Sequence, residues 1–262
     1  MIPLKSRDEI SLMRASGRLL ARCMREVLAH AKPGVSTLEL DIIADEFLRS
    51  RGAVPSFKDY PGGDGCRPFP GSICTSLNSV VVHGVPDRSL LKSGDVLSID
   101  MGAILDGWHS DMARTVVIGG SGSPDVERLL AVTREAFYAG MLKARPGNRL
   151  RDISRAVQEV LKGGSLGIVT QLVGHGIGTE MHEEPEVPNY VFRGPNPRLQ
   201  AGMVLAIEPM STLGRGRVVW KDESDWPVTT ADGTMAAHYE NTVAVLEDGP
   251  EILTSTGDDE EV

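Results

Sequence analysis

The chain has 262 residues, of which 41% are hydrophobic, and this is enough for a sizeable core formed by one large domain or by two fused halves. Its net charge of -9 comes without any dense basic block, which argues against a standing affinity for nucleic acid or anionic membranes. The cysteines lack metal-site or redox spacing and no apolar run is long enough to span a bilayer, so we expect a cytoplasmic protein without disulfides that acts on small or peptide ligands.

The first predicted elements are two helices. Ser6-Arg-Asp-Glu9 has the spacing of a capping box, and a helical stripe of apolar residues follows it. The Lys-Pro-Gly sequence at 32–34 breaks this helix, because proline and glycine disfavour helix interiors. A second capping box, Ser36-Thr-Leu-Glu39, opens a helix that should end near Gly52.

The second half of the chain repeats this plan. Ser123-Pro124 provides an N-cap and a first helical residue, Arg-Pro-Gly at 145–147 breaks the helix, and another helix runs toward Gly163. The strands repeat as well, since Gly94-Asp-Val-Leu-Ser-Ile-Asp100 matches Gly202-Met-Val-Leu-Ala-Ile-Glu208 at four positions and in its final carboxylate. Repeated helix pairs followed by strands predict an α+β fold whose two halves face each other across a shared cleft.

Polar residues recur at matching places in the two halves. Val82-His83-Gly84-Val85 is echoed by Gly174-His175-Gly176-Ile177, and His109-Ser-Asp111 is echoed by His238-Tyr-Glu240. Each polar residue that recurs in this way is a candidate ligand. We interpret His109 and His238 as rim residues or as supports for the ligands, with ordinary solvated histidines as the alternative.

A β-hairpin brings two of the repeated carboxylates together. Val96 to Leu105 and Trp108 to Val117 are predicted strands, and the Asp-Gly sequence at 106–107 is a strong signal for a two-residue turn. Such a turn makes Asp100 and Asp111 diagonal neighbours on one face of the hairpin, roughly 7 Å apart or less. Two carboxylates that close would repel each other unless a cation lies between them.

The duplicated pattern therefore predicts a metal site. The predicted ligands are Asp100, Asp111, His175, Glu208 and Glu240. Taken singly, each carboxylate is more simply a solvated or salt-bridged strand residue, and His175 a core or capping histidine, but the repeated constellation favours metal binding. An oxygen-rich set with one imidazole suits Mn, Fe(II), Co or Zn and can hold two ions.

Several sequence blocks resemble those of one known family. The blocks are His83, Ile99-Asp100, Asp106-Gly-Trp-His-Ser-Asp111, Gly174-His-Gly-Ile-Gly178, His182-Glu-Glu-Pro185, Ile207-Glu-Pro-Met210 and Tyr239-Glu-Asn-Thr242. In order, identity and spacing they resemble the bacterial type I methionine aminopeptidases over nearly the whole chain. The resemblance implies the pseudo-two-fold "pita-bread" fold in a single catalytic domain, with halves of about 1–120 and 121–255 and an acidic tail at 256–262.

The resemblance also assigns roles to the metal ligands. Asp100 is expected to bind one divalent ion, Asp111 and Glu240 to bridge two, and His175 with Glu208 to complete the second. A bridging water or hydroxide is expected to attack the scissile carbonyl.

Further roles concern catalysis and substrate binding. Glu208 is expected to relay a proton, while His83 and His182 steady the substrate amide and the tetrahedral intermediate. The methionine pocket is expected to comprise Phe69, Cys74, Met181 and Trp226. This pocket differs from the family pattern, because residues 61–70 contain a short insertion around Cys66 and Met181 stands where an aromatic residue is common.

The implied function is removal of the initiator methionine from nascent polypeptides, with a preference for a small second residue. We expect a monomer that contacts the ribosome transiently and has no direct nucleic-acid specificity. A proline dipeptidase or aminopeptidase P is one alternative, although the compact N-terminus favours the short bacterial methionine enzyme. A catalytically inactive binding protein of the same fold is the other, although all five ligand positions keep coordinating groups.

Overall fold

The computed structural model describes residues 2–62, 67–220 and 226–255. The predicted acidic tail and the part of the altered loop around Cys66 lie outside these residues. The helices are α1 (Arg7–His30), α2 (Thr37–Arg49), α3 (Pro124–Met141) and α4 (Leu150–Gly163). The strands are β1 (Val54–Pro55), β2 (Cys74–Leu77), β3 (Val80–Val82), β4 (Val96–Leu105), β5 (Trp108–Val117), β6 (Gly167–Ile168), β7 (Gly174–Gly176), β8 (Glu183–Val187), β9 (Val204–Ile207), β10 (Met210–Thr212), β11 (Val218–Trp220), β12 (Val228–Thr230), β13 (Ala236–His238), β14 (Glu240–Leu246) and β15 (Gly249–Ile252).

The helix starts confirm the capping predictions. The hydroxyl of Ser6 accepts a hydrogen bond from the backbone N–H of Glu9, whose carboxylate accepts from the N–H of Ser6. The same reciprocal pair joins Ser36 and Glu39 at the start of α2, and Ser123 caps α3. Each cap satisfies backbone donors that have no partner within the helix. No helix in the described part of the chain is long and apolar enough to cross a membrane.

The main sheet is antiparallel and its strand order is symmetric about its centre. Nine strands form it, with the order β1-β4-β5-β14-β9-β7-β8 and with β2 and β15 pairing to β4 and β14. The sequence repeat relates β4 to β9 and the motif in β5 to that at the start of β14. The four central strands therefore confirm the duplication, with the pseudo-two-fold axis between β5 and β14.

The β4–β5 hairpin has the predicted register. Leu105 pairs with Trp108 across the Asp-Gly turn, and Gly102 pairs with Asp111. Successive side chains of a strand alternate between the faces of a sheet, so Asp100 and the residue opposite Gly102 share a face.

Each helix pair covers one half of the sheet. Ile99, Met101 and Ala103 of β4 pack in a fully buried cluster with apolar residues of α1 and α2. A second cluster joins α3 and α4 to β9 and β14, with Phe137 and Leu205 fully buried in it. Because alternate residues of β4 face the helices, Asp100 is left on the opposite face of the sheet, where the cavity lies.

Candidate metal centre and substrate pocket

The eleven residues predicted to bind metal, to act in catalysis or to bind substrate all line one cavity of about 200 Å³. They comprise the five predicted ligands, the two further histidines and the four predicted pocket residues: Phe69, Cys74, His83, Asp100, Asp111, His175, Met181, His182, Glu208, Trp226 and Glu240. The cavity lies where the two halves of the sheet meet, as expected for a site built from both halves.

Strand register positions the carboxylates. Asp100 on β4 and Glu240 on β14 both pair with Ala113 of β5, so the three residues form one row across the sheet. Asp111 lies two residues before Ala113 on the same face. Small residues at the centre of the row leave room above them, and three carboxylates converge on that space.

The second half contributes His175 and Glu208 through an equivalent arrangement of antiparallel strands. His175 on β7 pairs with Ala206 of β9, and Glu208 follows two residues later. Ala206 also pairs with Thr242 on β14, and the Thr242 hydroxyl hydrogen-bonds both the backbone N–H and the carbonyl of Asp111. This side chain ties the two halves together beside the metal-facing carboxylates.

Burial makes ionisation of the carboxylates unfavourable. It raises the pKa of Asp100 to about 7, with Glu208 adding to the shift and His238 opposing it. Burial likewise raises the pKa values of Asp111, Glu208 and Glu240 well above their ordinary range, and for Asp111 and Glu240 the neighbouring carboxylates add to the effect. A site lined by buried like charges is stable in the ionised form when a cation neutralises it.

Several buried polar atoms at the site lack hydrogen-bond partners. Among the described residues they include Asp100 Oδ1, Asp111 Oδ1 and Glu240 Oε1. Buried polar groups are nearly always paired in folded proteins, so a cluster of unpaired oxygen atoms indicates a missing partner. A divalent cation fits this requirement, because it accepts several oxygen ligands at once.

His175 is prepared to act as a ligand. Its Nδ1 lies 2.8 Å from the carbonyl oxygen of Gly176, which can only accept, so Nδ1 carries the proton. The lone pair is then on Nε2, which lies 3.8 Å from Asp111 Oδ2 and 3.7 Å from Glu208 Oε1. Burial lowers the pKa of His175 to about 3, which keeps the ring neutral and able to coordinate a metal.

His238 is more central than the sequence indicated. It is buried, and its Nε2 lies 3.5 Å from a carboxylate oxygen of Glu208 and 3.5 Å from one of Glu240. Two sets of side chains bring potential ligand atoms within 4.8 Å of one another: Asp100 with His238 and Glu240, and Asp111 with His175 and Glu240. Glu240 is common to both sets. His109, by contrast, is not among the residues that line the cavity, and its Nδ1 hydrogen-bonds the hydroxyl of Ser56 at 3.0 Å.

His83 and His182 both line the cavity. His83 follows β3 with a positive φ of 59°, and burial lowers its pKa to about 4. The ring of His182 lies 4.3 Å from that of His175, and its Nδ1 is 2.6 Å from the hydroxyl of Tyr60. The strain that a positive φ imposes on a non-glycine residue is typical of functional sites.

The apolar end of the cavity is built around two aromatic rings. Phe69 and Trp226 meet edge to face with their centroids 5.2 Å apart, and His83 meets the other side of Trp226 at 5.9 Å. Cys74 pairs with Asp100 across β2 and β4, so the thiol lies next to the carboxylates. Met181 is 4% exposed and completes the wall.

Further lining residues escaped sequence reasoning. They are Phe57, Tyr60, Val82, Leu172, Val173 and Met210, whereas His238, which also lines the cavity, was predicted as a rim or supporting residue. Most are apolar residues in loops or short strands without periodicity, which offer no pattern to read. Tyr60 could have been found, because it lies next to the segment already noted as unusual.

Comparison with known proteins shows the family to which this chain belongs. The sequence model that describes metallopeptidase family M24 matches residues 11–247 of this chain. A curated methionine aminopeptidase of Clostridium acetobutylicum is 49% identical over 255 residues, which are 97% of this chain and 99% of that protein. The structure of the methionine aminopeptidase from Rickettsia prowazekii superimposes with a TM-score of 0.92 at 36% identity, covering 97% of this chain and 100% of that chain. The prolidase of Pyrococcus furiosus shares the fold, with a TM-score of 0.76 at 23% identity and 65% of its own length covered.

Proposed function

The chain belongs to metallopeptidase family M24, within which it groups with the bacterial methionine aminopeptidases, and we propose that it removes the N-terminal methionine from polypeptides in a metal-dependent hydrolysis. The observation that carries this proposal is the single cavity in which paired carboxylates and an apolar pocket adjoin. The pita-bread fold expected from the sequence is the fold of its structural relatives.

The metal is held by residues of both halves. We propose two divalent ions, drawn from Co, Mn, Fe(II) or Zn, which would be held by Asp100, Asp111, His175, Glu208 and Glu240. The unpaired carboxylate oxygens and the neutral, correctly protonated His175 support this assignment. When bound, such ions act as Lewis acids that polarise a carbonyl group and lower the pKa of water.

The protein's own side chains supply proton transfer and orientation. Glu208 accepts the proton of the attacking water and passes it to the leaving amine, as a carboxylate positioned beside the reacting atoms can do. His83 and His182 hydrogen-bond the substrate amide and the oxygen of the tetrahedral intermediate. When Tyr60 donates to His182 Nδ1, the neutral ring carries its proton on Nε2 and can donate to that oxygen.

The pocket selects the methionine side chain by its size and by its flexible, polarisable thioether. Phe69, Cys74, Met181 and Trp226 enclose an apolar space that fits an unbranched thioether, and sulfur makes favourable contacts with aromatic edges. We propose that the small volume of the cavity favours a small residue after the methionine.

Two alternatives predict different substrates. A proline-specific enzyme would share the fold and the ligands, and its solved relatives are distant, at 23% identity for the prolidase. An inactive binding protein would lack ligands, whereas five coordinating residues line this cavity.

The test uses the full chain stripped with a chelator and reloaded with one metal at a time. We expect methionine to be released from Met-Ala-Ser, more slowly from Met-Leu-Ser, and only with metal present. Asp111→Asn should abolish turnover, while Glu135→Gln, which alters an exposed carboxylate of α3, should not. Cleavage confined to Xaa-Pro peptides would contradict the substrate, and full activity of the stripped enzyme would contradict the metal mechanism.

The cellular setting is also a proposal. We infer a monomeric, single-domain cytoplasmic enzyme, with halves of about 1–120 and 121–255, that acts on nascent chains and contacts the ribosome transiently. The free thiols of Cys23 and Cys74 are compatible with a reducing compartment.

A further inference from the structure

The exposed side of α1 carries an arginine stripe. Between Ile10 and Arg25 the helix contains four arginines and no acidic residue, in a chain whose net charge is -9. Arg14 is neutralised by a bidentate ion pair with Glu251, but Arg18 and Arg22 make no ion pair or hydrogen bond within the part of the chain that the structure describes. Arg18 and Arg22 are exposed, so their guanidinium groups are accessible to a partner in solution.

The stripe lines a shallow groove. Arg18, Arg22 and Arg25 form one wall, and the opposite side is built by Phe47 and Arg51 at the end of α2. The guanidinium carbon of Arg51 lies 3.7 Å above the ring of Phe47, and its Nη1 donates to the carbonyl of Phe47 and to a neighbouring serine hydroxyl. The groove is therefore lined by four guanidinium groups, of which Arg51 is fixed in place, and by one carboxylate, that of Glu26.

The chemistry of the groove points to phosphate. Arginine presents a planar fork of donors that pairs with phosphate oxygens and stacks on flat rings. Arg18, Arg22 and Arg25 are spaced over about 10 Å along the helix axis, which is long enough to meet more than one phosphate of a chain. A membrane surface fits less well, because the apolar face of α1, including Leu20 and Met24, is buried in the core and unavailable for insertion.

We propose that this groove is a sequence-independent docking site for the phosphodiester backbone of RNA. Lining arginines bind phosphates through charge-assisted hydrogen bonds, and exposed guanidinium planes stack on unpaired bases. This inference adds a local site to a chain whose overall charge argues against nucleic-acid binding, and it does not depend on the proposed peptidase function.

The position of the groove keeps the two sites separate. The apolar residues of β4 that pack on α1 and α2 alternate with Asp100, which faces the cavity from the other side of the sheet. RNA bound at the groove would therefore leave the cavity open. A polypeptide could enter the cavity while RNA is bound on the opposite face of the sheet.

The test measures binding of the full-length protein to a fluorescein-labelled RNA hairpin by fluorescence anisotropy over a range of salt concentrations. We expect binding at about 50 mM salt that weakens as salt increases, because counterions are released from the phosphates. Arg18→Gln/Arg22→Gln should weaken binding about tenfold or more, since each lost contact is a charged hydrogen bond. It should also flatten the log–log salt slope by about 1.4–1.8.

The matched control is Arg155→Gln/Arg198→Gln, which removes two exposed arginines of the second half with the same change of net charge. We expect this control to bind RNA as the parent protein does, and both double variants to retain full release of methionine from Met-Ala-Ser. Equal loss in both variants, or no binding at about 50 mM salt, would overturn the proposal. So would arginine-dependent binding to phosphatidylserine vesicles without binding to RNA. Failure of the peptidase assay alone would leave the groove proposal intact.

Discussion

Asp100→Asn should have opposite effects on the metal-free and the metal-loaded protein. Asp100 is buried beside Glu208 and Glu240, and burial raises its pKa from 3.8 to about 7. Without metal, the ionised side chain is therefore an unfavourable charge in the core. When metal is bound, the same ionised carboxylate is expected to act as a ligand. The substitution removes the charge in both cases but preserves the size of the side chain.

The magnitude follows from the pKa shift. Each pKa unit corresponds to 1.36 kcal/mol, so the shift of Asp100 represents a cost of about 4 kcal/mol when both states are ionised. Because the pKa of the folded state is raised, the cost is absent below about pH 4 and complete above about pH 7. Metal-free protein should lose stability as pH rises through this window. Allowing for imperfect hydrogen bonding of the amide, we expect the variant to gain at least about 1 kcal/mol at neutral pH, a rise of about 2–4 °C in Tm.

The assay is thermal unfolding in chelator at about pH 5 and about pH 7.5, followed by the same measurement with excess Mn²⁺ or Co²⁺. Asp100→Asn should be more stable than the parent in chelator at the higher pH, and should gain less from metal. Glu135→Gln, an exposed carboxylate, should follow the parent in every condition. The reasoning is refuted if the variant is no more stable in chelator at neutral pH, or if metal raises its Tm as much as that of the parent.

Three other substitutions test the surroundings of the site. Tyr60→Phe removes the hydroxyl that hydrogen-bonds His182 and should lower kcat by about 10- to 100-fold with little change in KM, measured with Met-Ala-Ser; an unchanged kcat would show that the hydroxyl does not position the ring. Lys5→Met leaves the buried carboxylate of Glu183 without its cation and should destabilise the protein by about 3–5 kcal/mol in denaturant titrations, whereas a loss below about 1 kcal/mol would mean that water replaces the pair. Trp226→Ala opens the methionine pocket and should raise KM more than it lowers kcat, and a selective loss of kcat would instead place the ring at the reacting atoms.

The sequence predicted those features that depend on local spacing. The capping residues Ser6 and Ser36 identify helix starts because each requires a fixed offset to a glutamate. The Asp-Gly turn sets the register that makes Asp100 and Asp111 neighbours, because a two-residue loop leaves one way to pair the strands. The repeat of residues 94–100 at 202–208 then predicted Glu208 as a ligand equivalent to Asp100.

The features that escaped prediction depend on contacts between distant parts of the chain. Tyr60 reaches His182 across 122 positions of sequence, and no periodicity relates them. His238 was predicted as a supporting residue, but its proximity to Glu208 follows from the pairing of β13 with β10, which places His238 opposite Met210. Such pairings are set by tertiary packing, which a local pattern does not contain.

The symmetry of the backbone does not extend to the chemistry of the site. The first half supplies two aspartates at the positions where the second supplies two glutamates, and the related histidines His83 and His175 differ in backbone conformation, because His83 has a positive φ whereas His175 lies in a strand. His175 donates its Nδ1 proton to the backbone carbonyl of Gly176 and so turns a lone pair toward the carboxylates. Both potential ligand sets include Glu240 of the second half together with an aspartate of the first. Neither half can therefore form the site alone, and we expect the free energy of metal binding to hold the halves together, so that metal would stabilise the interface between β5 and β14 as well as the site itself.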